Sequence, residues 1–309
     1  MRWLPRCRLL FLWIAIFPLC GCLFRSRKVQ PTFDINLFKT ATQQQLIDYI
    51  NSQAERIQSL QATVDIDTSV GGLKKGKVTD YQQIRGYVLA RKPSMLRLIG
   101  LMPFVRNKAF DMVSDGSEFK LWIPPKNRFI IGSNDVPSYN PAQPLENLRP
   151  QHLYDALLLR RIDPDKEIAV MENDTEIPSD PKSKVAVRAE YIVDVIRKTD
   201  QGWRLSRKVV FNRTDLLPHR QLFYDDNGNV VTDAIYQNYK VSGASNYPWQ
   251  IEVSRPQEEY DITLTIIKLD INQPIQDDKF ALEQPPGATV VRVDQRPSSG
   301  SAPTGSSVH

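Results

Sequence analysis

The chain has 309 residues, of which 41% are hydrophobic and 24% are charged, and its formal net charge at pH 7 is +5. A chain of this length can bury one large hydrophobic core or two small ones. The charge falls to about +2 once the three arginines of the N-terminal segment (Arg2, Arg6 and Arg8) are set aside. The high proportion of basic residues therefore gives no support to a nucleic-acid partner, and none is expected.

The first residues are typical of a secretory signal. The arginines are followed by an apolar run, Leu9 to Leu19, which only Pro18 interrupts. That run is much shorter than the roughly 20 apolar residues that a membrane-spanning helix needs. Residues 1–21 are therefore predicted to be a signal peptide and are set aside in predicting the fold. An uncleaved anchor helix is the alternative interpretation.

The end of this segment, Leu19-Cys20-Gly21-Cys22, resembles the lipobox of bacterial lipoproteins. The resemblance implies cleavage between Gly21 and Cys22 and transfer of a diacylglyceryl group to Cys22, although Cys20 stands where Ala or Ser is commoner. Two or three acyl chains would anchor the protein essentially permanently, because one chain alone binds a membrane only marginally. Leu23 stands where an Asp would favour the inner membrane. The resemblance thus implies an outer-membrane lipoprotein that faces the periplasm.

All three cysteines of the chain, Cys7, Cys20 and Cys22, belong to this segment. After cleavage and acylation no free thiol remains for a disulfide, so a hydrophobic core has to stabilise the fold.

Residues 22–42 are predicted to be a lipidated tether, and the first regular element follows it. From Gln43 to Leu60, apolar residues recur at helical spacing opposite a face of Gln, Asp and Arg. Thr42 is predicted to be the N-cap, because Gln45 stands three residues later. This pattern predicts one amphipathic helix of about five turns.

Beyond the helix, the hydrophobic pattern changes to the alternation that is typical of strands. Turn residues such as Asp115-Gly116 separate the strands, and Asp226-Asn227-Gly228 is the strongest hairpin signal. Pro150 to Arg161 predicts a second helix, and Asp163 to Ser183 is expected to be a polar loop. Strands are predicted at Tyr81–Arg91, Met95–Leu98, Lys108–Val113, Phe119–Ile123, Phe129–Ile131, Val185–Val195, Trp203–Phe211, Gln221–Tyr224, Asn229–Thr232, Ile251–Ser254 and Tyr260–Leu269.

These elements predict an α+β fold, in which about 10–11 antiparallel strands form a curved, unclosed β-barrel covered by helices on its concave side. One face of such a sheet is apolar and needs a cover, which the two amphipathic helices can provide. The folded domain is predicted at residues 43–293. Residues 294–309, which are rich in Ser, Gly and Pro, are expected to be a disordered tail.

Over about residues 43–293 the sequence resembles the LolA/LolB superfamily. The resemblance lies in the end of the first helix (Ile57–Ala62), in Arg91-Lys92-Pro93 and Phe110–Gly116, and in the closing segments Ile271–Ile275 and Pro285-Pro286-Gly287. It implies an unclosed β-barrel with helices as a lid, whose apolar interior holds acyl chains. Together with the lipobox it favours the lipid-anchored, LolB-like type, although this chain is longer than either family member.

An apolar loop with a basic rim is expected between two early strands. Residues 100–105 read Gly-Leu-Met-Pro-Phe-Val and are flanked by Arg97, Arg106 and Lys108. Such a loop is suited to insertion at a membrane surface or to contact with a lipidated cargo. The LolB-like resemblance implies an exposed leucine here, for which Leu101 or Met102 is the nearest match. Packing into the core is the alternative for the four candidate contact residues, which are Leu101, Met102, Phe104 and Val105.

Signals for catalysis or metal binding are weak. Gly71 to Lys77 has the spacing of a phosphate-binding loop, but Val78 follows where a Ser or Thr is needed, and the next element is a predicted strand. A basic hairpin tip is the better interpretation. The three histidines, His152, His219 and His309, are too scattered for a metal site. No catalytic residue, metal or cofactor is predicted, and the chain is not expected to be an enzyme.

Two functions remain open. The first is a lipid-anchored binding protein that takes acyl chains of lipoproteins or another lipid into a hydrophobic cavity, for lipid or lipoprotein trafficking in the envelope. The second is a non-enzymatic scaffold lipoprotein with a fully packed core, which joins protein partners of the envelope. A leucine that lines a cavity and a leucine in a packed core look the same in a sequence, so the pattern alone does not decide.

Overall fold

The computed structural model describes residues 38–72, 76–105, 107–134, 149–176 and 188–293. The predicted signal peptide, the cleavage site at Gly21 and Cys22, most of the predicted tether and the predicted tail lie outside the described residues.

Two α-helices and fourteen strands make up the described part of the chain. The helices are α1 (Gln43–Arg56) and α2 (Pro150–Leu157). The strands are β1 (Ser59–Gly72), β2 (Lys77–Arg91), β3 (Met95–Leu101), β4 (Lys108–Ser114), β5 (Glu118–Ile123), β6 (Arg128–Ser133), β7 (Glu167–Glu176), β8 (Arg188–Thr199), β9 (Gly202–Asn212), β10 (Pro218–Tyr224), β11 (Val230–Ser242), β12 (Ser245–Arg255), β13 (Tyr260–Ile271) and β14 (Thr289–Arg292).

All fourteen strands belong to one sheet, with the order β14-β6-β5-β4-β3-β2-β1-β13-β12-β11-β10-β9-β8-β7. The predicted number of 10–11 strands was therefore too low. Neighbouring strands are antiparallel, except that β14 runs parallel to β6. The end strands β14 and β7 do not pair with each other in the described residues, so the sheet is an unclosed one, as predicted.

The sheet is curved, because residues from strands far apart in its order meet in one hydrophobic core. Leu98 on β3 and Leu121 on β5 belong to the same buried cluster as Tyr247 on β12 and Ile262 on β13. A second cluster lies under the other half of the sheet and includes Val193 on β8. The alternation of buried residues along strands such as β3, β5 and β13 gives the sheet one largely apolar face.

Both helices pack against buried residues of this sheet. Helix α1 places Leu46 and Ile50 in the second cluster, and α2 places Leu153 and Leu157 in the first. The predicted N-cap of α1 is confirmed, since Thr42 and Gln45 form a reciprocal capping box. Neither helix in the described residues is long and apolar enough to cross a membrane.

Several predicted boundaries were wrong. Strands β11 and β12 extend well beyond the predicted Asn229–Thr232 and Ile251–Ser254. Helix α1 ends at Arg56 and not at Leu60, because β1 already begins at Ser59. Helix α2 ends at Leu157 and not at Arg161. The predicted polar loop from Asp163 to Ser183 contains strand β7, an edge strand whose exposed side chains hide the alternation.

A C-terminal segment, Asn272–Ala288, crosses the opposite face of the sheet. Arg91 donates hydrogen bonds to the Ile275 carbonyl and to Asp277, and Arg97 donates one to the Lys279 carbonyl. Because side chains alternate along β3, Arg97 lies on the other face from the buried Leu98. This segment therefore covers part of the opposite face, over β2 and β3.

Candidate functional site

An apolar cavity of about 250 Å³ lies on the buried side of the first half of the sheet. Its walls are almost entirely hydrocarbon, and its polar side chains are Thr68, Gln82 and Tyr81. The volume exceeds the roughly 150 Å³ of an engineered apolar cavity that stays dry and binds benzene. The apolar lining residues are Ile66, Ile84, Leu98, Ala109, Phe110, Leu121, Ile123 and Ile262.

The cavity has a buried end and a more exposed end. Leu98 and Leu121 are fully buried and belong to the core. Ile84 and Phe110 are only partly buried, and Tyr81 is exposed. A hydrocarbon chain could therefore enter beside Tyr81 and reach the core without a change of the sheet.

Two glycines allow side chains that line the cavity to pack directly against the backbone of β2 and β3. Gly86 on β2 pairs with Gly100 on β3. A Cβ atom on Gly100 would lie 2.4 Å from Phe110 Cε1 and 2.7 Å from Ile84 Cδ1, so only glycine lets these two lining side chains approach the strand. The cavity residues escaped prediction because they look like core residues. Gly86, which lies inside a predicted strand, was the available signal, since a glycine in a strand often marks a close approach.

Beside the cavity, strand β2 pairs with only one neighbouring strand. It pairs with β1 from Lys77 to Arg91, whereas it pairs with β3 only from Gly86 to Arg91. Three of the lining residues lie in the part of β2 that does not pair with β3: Tyr81, Gln82 and Ile84.

The predicted apolar loop connects β3 to β4 and projects from the sheet. Phe104 is 98% exposed and Val105 61% exposed, whereas Met102 is 38% exposed and Leu101 is half-buried. The Met102 amide donates to the Asn107 carbonyl over 2.7 Å, which closes the loop. Phe104 adopts a φ of 68°, a left-handed conformation that is rare for a bulky residue. Phe104 is thus the most exposed apolar side chain of the loop.

The predicted basic rim differs from expectation. Arg97 donates two hydrogen bonds to the carboxylate of Asp111, over 2.9 and 2.7 Å, and Lys108 donates a third over 2.6 Å. Asp111 is completely buried, so both cations pair with an internal carboxylate, and of the two only Lys108 has a substantially exposed side chain. Of the three rim residues, Arg106 has a side chain outside the described part of the structure.

A second cavity, of about 900 Å³ and with a mixed polar and apolar lining, lies where α1 and α2 end. Its charged groups have partners within the protein. Arg161 lies 3.5 Å from Glu55, and Lys92 donates to the Ala54 carbonyl at the end of α1. Burial raises the pKa of Asp155 and lowers that of Lys92. The lining of this cavity therefore combines charged and apolar side chains, and it is less apolar than that of the first cavity.

A buried arginine lies under the second half of the sheet. Arg207 on β9 is fully buried, and none of its guanidinium nitrogens has a hydrogen-bond partner among the described residues. Burial lowers its pKa to about 10, so it stays charged at neutral pH. Glu167 and Asp155 provide opposite charge nearby, while Arg160 opposes it. Within the described residues, no group of three His, Cys, Asp or Glu side chains could hold a metal ion.

No family model matches the chain, and no curated protein matches it. Solved structures with a similar fold do exist. One is named as an outer membrane lipoprotein-sorting protein domain from Vibrio parahaemolyticus (13% identity, TM-score 0.48, 76% of this chain and 94% of that chain). Another is a LolA superfamily protein from Nitrosomonas europaea (13% identity, TM-score 0.46, 79% and 99%).

A third is a DUF1329 family protein from Desulfovibrio piger (14% identity, TM-score 0.46, 77% of this chain and 95% of that chain). The second of these structures is named after the superfamily that the sequence resembles. At these identities and TM-scores the similarity concerns the fold, and no conclusion about activity or ligand rests on it.

Proposed function

We propose that this chain is a lipid-anchored outer-membrane lipoprotein that faces the periplasm and binds a hydrocarbon chain, from a lipoprotein or another lipid, in the cavity beside β2. It acts as a binding and transfer protein and not as an enzyme. The observation that carries the proposal is the apolar cavity of about 250 Å³, which reaches from the exposed Tyr81 to the buried core.

The size of the cavity suits one chain better than several. At about 250 Å³ it lies near the lower end of the roughly 300–1,000 Å³ that ligand pockets occupy. Each buried methylene contributes about 0.8 kcal/mol, so a chain of about eight methylenes would contribute about 6 kcal/mol. Such an affinity permits release, which a protein that passes lipid on requires.

The scaffold alternative is less well supported. It expects a fully packed core, whereas an apolar cavity lies among Leu98, Leu121 and Ile262 of the main core. An apolar cavity without a ligand forfeits the dispersion contacts of its lining. A binding role accounts for that loss of stability, and a purely structural role does not.

The anchor and the loop complete the proposal. Acylated Cys22 holds the protein at the membrane, and Phe104 with Val105 contacts the membrane surface or the cargo. The helices act as the cover of the concave side. The exposure of Phe104 supports the role of the loop, because a large apolar side chain that projects fully into solvent loses the benefit of burial.

Filling the cavity tests the proposal. Ile84→Trp adds a large ring to a partly buried lining position, so it should lower the affinity for a fluorescent acyl probe at least tenfold. The matched control is Ile168→Trp, at an exposed position on β7 that does not line the cavity, and it should bind the probe as the unmodified protein does. Equal binding by both variants, or no binding by the unmodified protein, would contradict the proposal.

A further inference from the structure

An unpaired stretch of strand edge borders the cavity. Strand β2 pairs with β1 from Lys77 to Arg91, with one irregularity beside Gln82 and Gln83, but its pairing with β3 stops at Gly86 opposite Gly100. From Lys77 to Arg85, β2 therefore has no strand on its other side among the described residues. We call these nine residues the free edge of β2. A free edge presents backbone N–H and C=O groups that a further strand can pair with.

The side chains of the free edge connect it to the cavity. Tyr81, Gln82 and Ile84 line the cavity, and Tyr81 and Val78 are exposed apolar side chains. Nine extended residues span about 30 Å, which is enough for a peptide of ordinary strand length. A binding site for a strand and a binding site for a hydrocarbon chain thus adjoin at one place.

We propose that the free edge of β2 accepts the extended N-terminal segment of an acylated polypeptide as an added strand, while the acyl chain of that polypeptide enters the cavity. This inference rests on the function proposed above and specifies its cargo. An acylated polypeptide carries hydrocarbon next to an extended main chain, so it needs both sites side by side. A free fatty acid or phospholipid has no peptide main chain that could pair with the strand edge. Main-chain pairing would give affinity with little dependence on the cargo's sequence.

Charge along the edge disfavours a second copy of this chain as the occupant. If two free edges paired antiparallel about their centre at Tyr81, Lys77 of one copy would lie opposite Arg85 of the other. Like charges directly opposite each other in a strand pair are destabilising. Charged side chains on an edge are also a common protection against edge-to-edge association.

Hydrogen exchange of the full chain tests the inference with three probes: a dipalmitoyl-cysteinyl hexapeptide, palmitate alone, and the same peptide without lipid. Binding of each is followed in parallel by displacement of a fluorescent acyl probe. The lipopeptide should displace the probe and slow exchange at least tenfold at those amides of Lys77–Arg85 that point away from β1, because the remaining amides already pair with β1. Palmitate should displace the probe without slowing exchange in this stretch, and the unlipidated peptide should bind at least tenfold more weakly than the lipopeptide.

Two N-methylated lipopeptides give a control that leaves the protein unchanged. Alternate residues of an added strand pair with the edge, so methylating the amides of one alternate set should weaken binding at least tenfold. Methylating the other set should leave binding within about threefold, because those amides point away from the edge. Equal effects of the two sets would overturn the inference.

The outcomes separate this inference from the proposed function. Probe displacement by the lipopeptide without slower exchange in Lys77–Arg85 would overturn the inference and leave the proposed function intact. Failure of both lipopeptide and palmitate to displace the probe, or of the probe to bind at all, would overturn both. Slow exchange, without any ligand, of the amides in Lys77–Arg85 that point away from β1 would overturn the inference in favour of another occupant: a second copy if it depends on protein concentration, or residues 294–309 if their deletion abolishes it.

Discussion

At the residue scale, burial decides what each charged side chain does. Arg97 was expected to face a membrane or cargo, yet it is bound to the buried Asp111. The sequence shows the charges but not their partners, because Arg97 and Asp111 meet only when β3 and β4 pair. The apolar character of the loop was predictable from its composition. Phe104 is more exposed than Leu101 because the backbone turns through a left-handed conformation at Phe104. The sequence contains no pattern that predicts this conformation.

Arg207 provides a prediction at this scale. Its guanidinium is fully buried, charged and without hydrogen-bond partners in the described residues. Taking such a charge out of water costs several kcal/mol unless partners compensate. Arg207→Met keeps most of the side-chain volume and removes the charge, so it should raise the free energy of unfolding by about 1–4 kcal/mol in urea denaturation.

Arg204→Met is the control on the same strand, because Arg204 is exposed. It should change the free energy of unfolding by less than about 0.5 kcal/mol. A loss of stability in Arg207→Met would contradict this account and would mean that the guanidinium has effective partners in solution.

At the element scale, the sequence indicates which elements exist better than where they end. The start of α1 was predictable, because its capping box is local. Its end was not, because distant residues bind the last turn: Asn272 donates to the Arg56 carbonyl and accepts from the Gln58 amide. These hydrogen bonds come from the end of the chain's last long strand. The apolar residues continue at helical spacing to Leu60, and this pattern contains no information about hydrogen bonds from Asn272.

Strand β7 escaped prediction for a related reason. An edge strand exposes polar side chains on more than one side, so its hydrophobic alternation is weak. The side-chain amide of Gln43 on α1 covers part of its backbone, with hydrogen bonds to the Ala169 carbonyl (3.0 Å) and from the Met171 amide (3.1 Å). The helix thus protects the edge of β7, whereas the free edge of β2 has no comparable cover in the described residues.

The loop between β3 and β4 provides a prediction at the element scale. Phe104→Ser combined with Val105→Ser removes its two most exposed apolar side chains. Because neither residue lines the cavity, the double variant should bind a fluorescent acyl probe normally and transfer it to vesicles at least fivefold more slowly. A stopped-flow transfer assay measures both properties. Unchanged transfer would contradict a role of the loop in membrane or cargo contact, as would an equal loss of binding.

At the scale of the whole molecule, the general architecture was predictable and the cavity was not. Alternating apolar residues predict a one-sided antiparallel sheet, and two amphipathic helices predict its cover. A cavity depends on the packing of Ile84, Phe110 and Leu121 against one another, which differs from a filled core by only a few ångströms. The same residues can form a cavity or a packed core, and these two interpretations predict a binding protein and a scaffold, respectively.

Attachment to the membrane is a separate prediction for the whole molecule. If Cys22 is the acylated residue, Cys22→Ser should abolish the incorporation of labelled palmitate into the protein. Cys20→Ser is the matched control, two residues away, and should keep the label. Metabolic labelling of cells followed by immunoprecipitation distinguishes them. Equal labelling of both variants, or no labelling of the unmodified protein, would contradict the predicted anchor.

Native mass spectrometry of the full-length protein, purified from the membrane fraction in mild detergent and incubated with palmitate or a lipopeptide, tests the central claim most directly. The account predicts one non-covalently bound chain per protein molecule, which is released on activation and is absent from Ile84→Trp. A mass without any bound lipid under these conditions would contradict the account, and so would an adduct that Ile84→Trp retains in full.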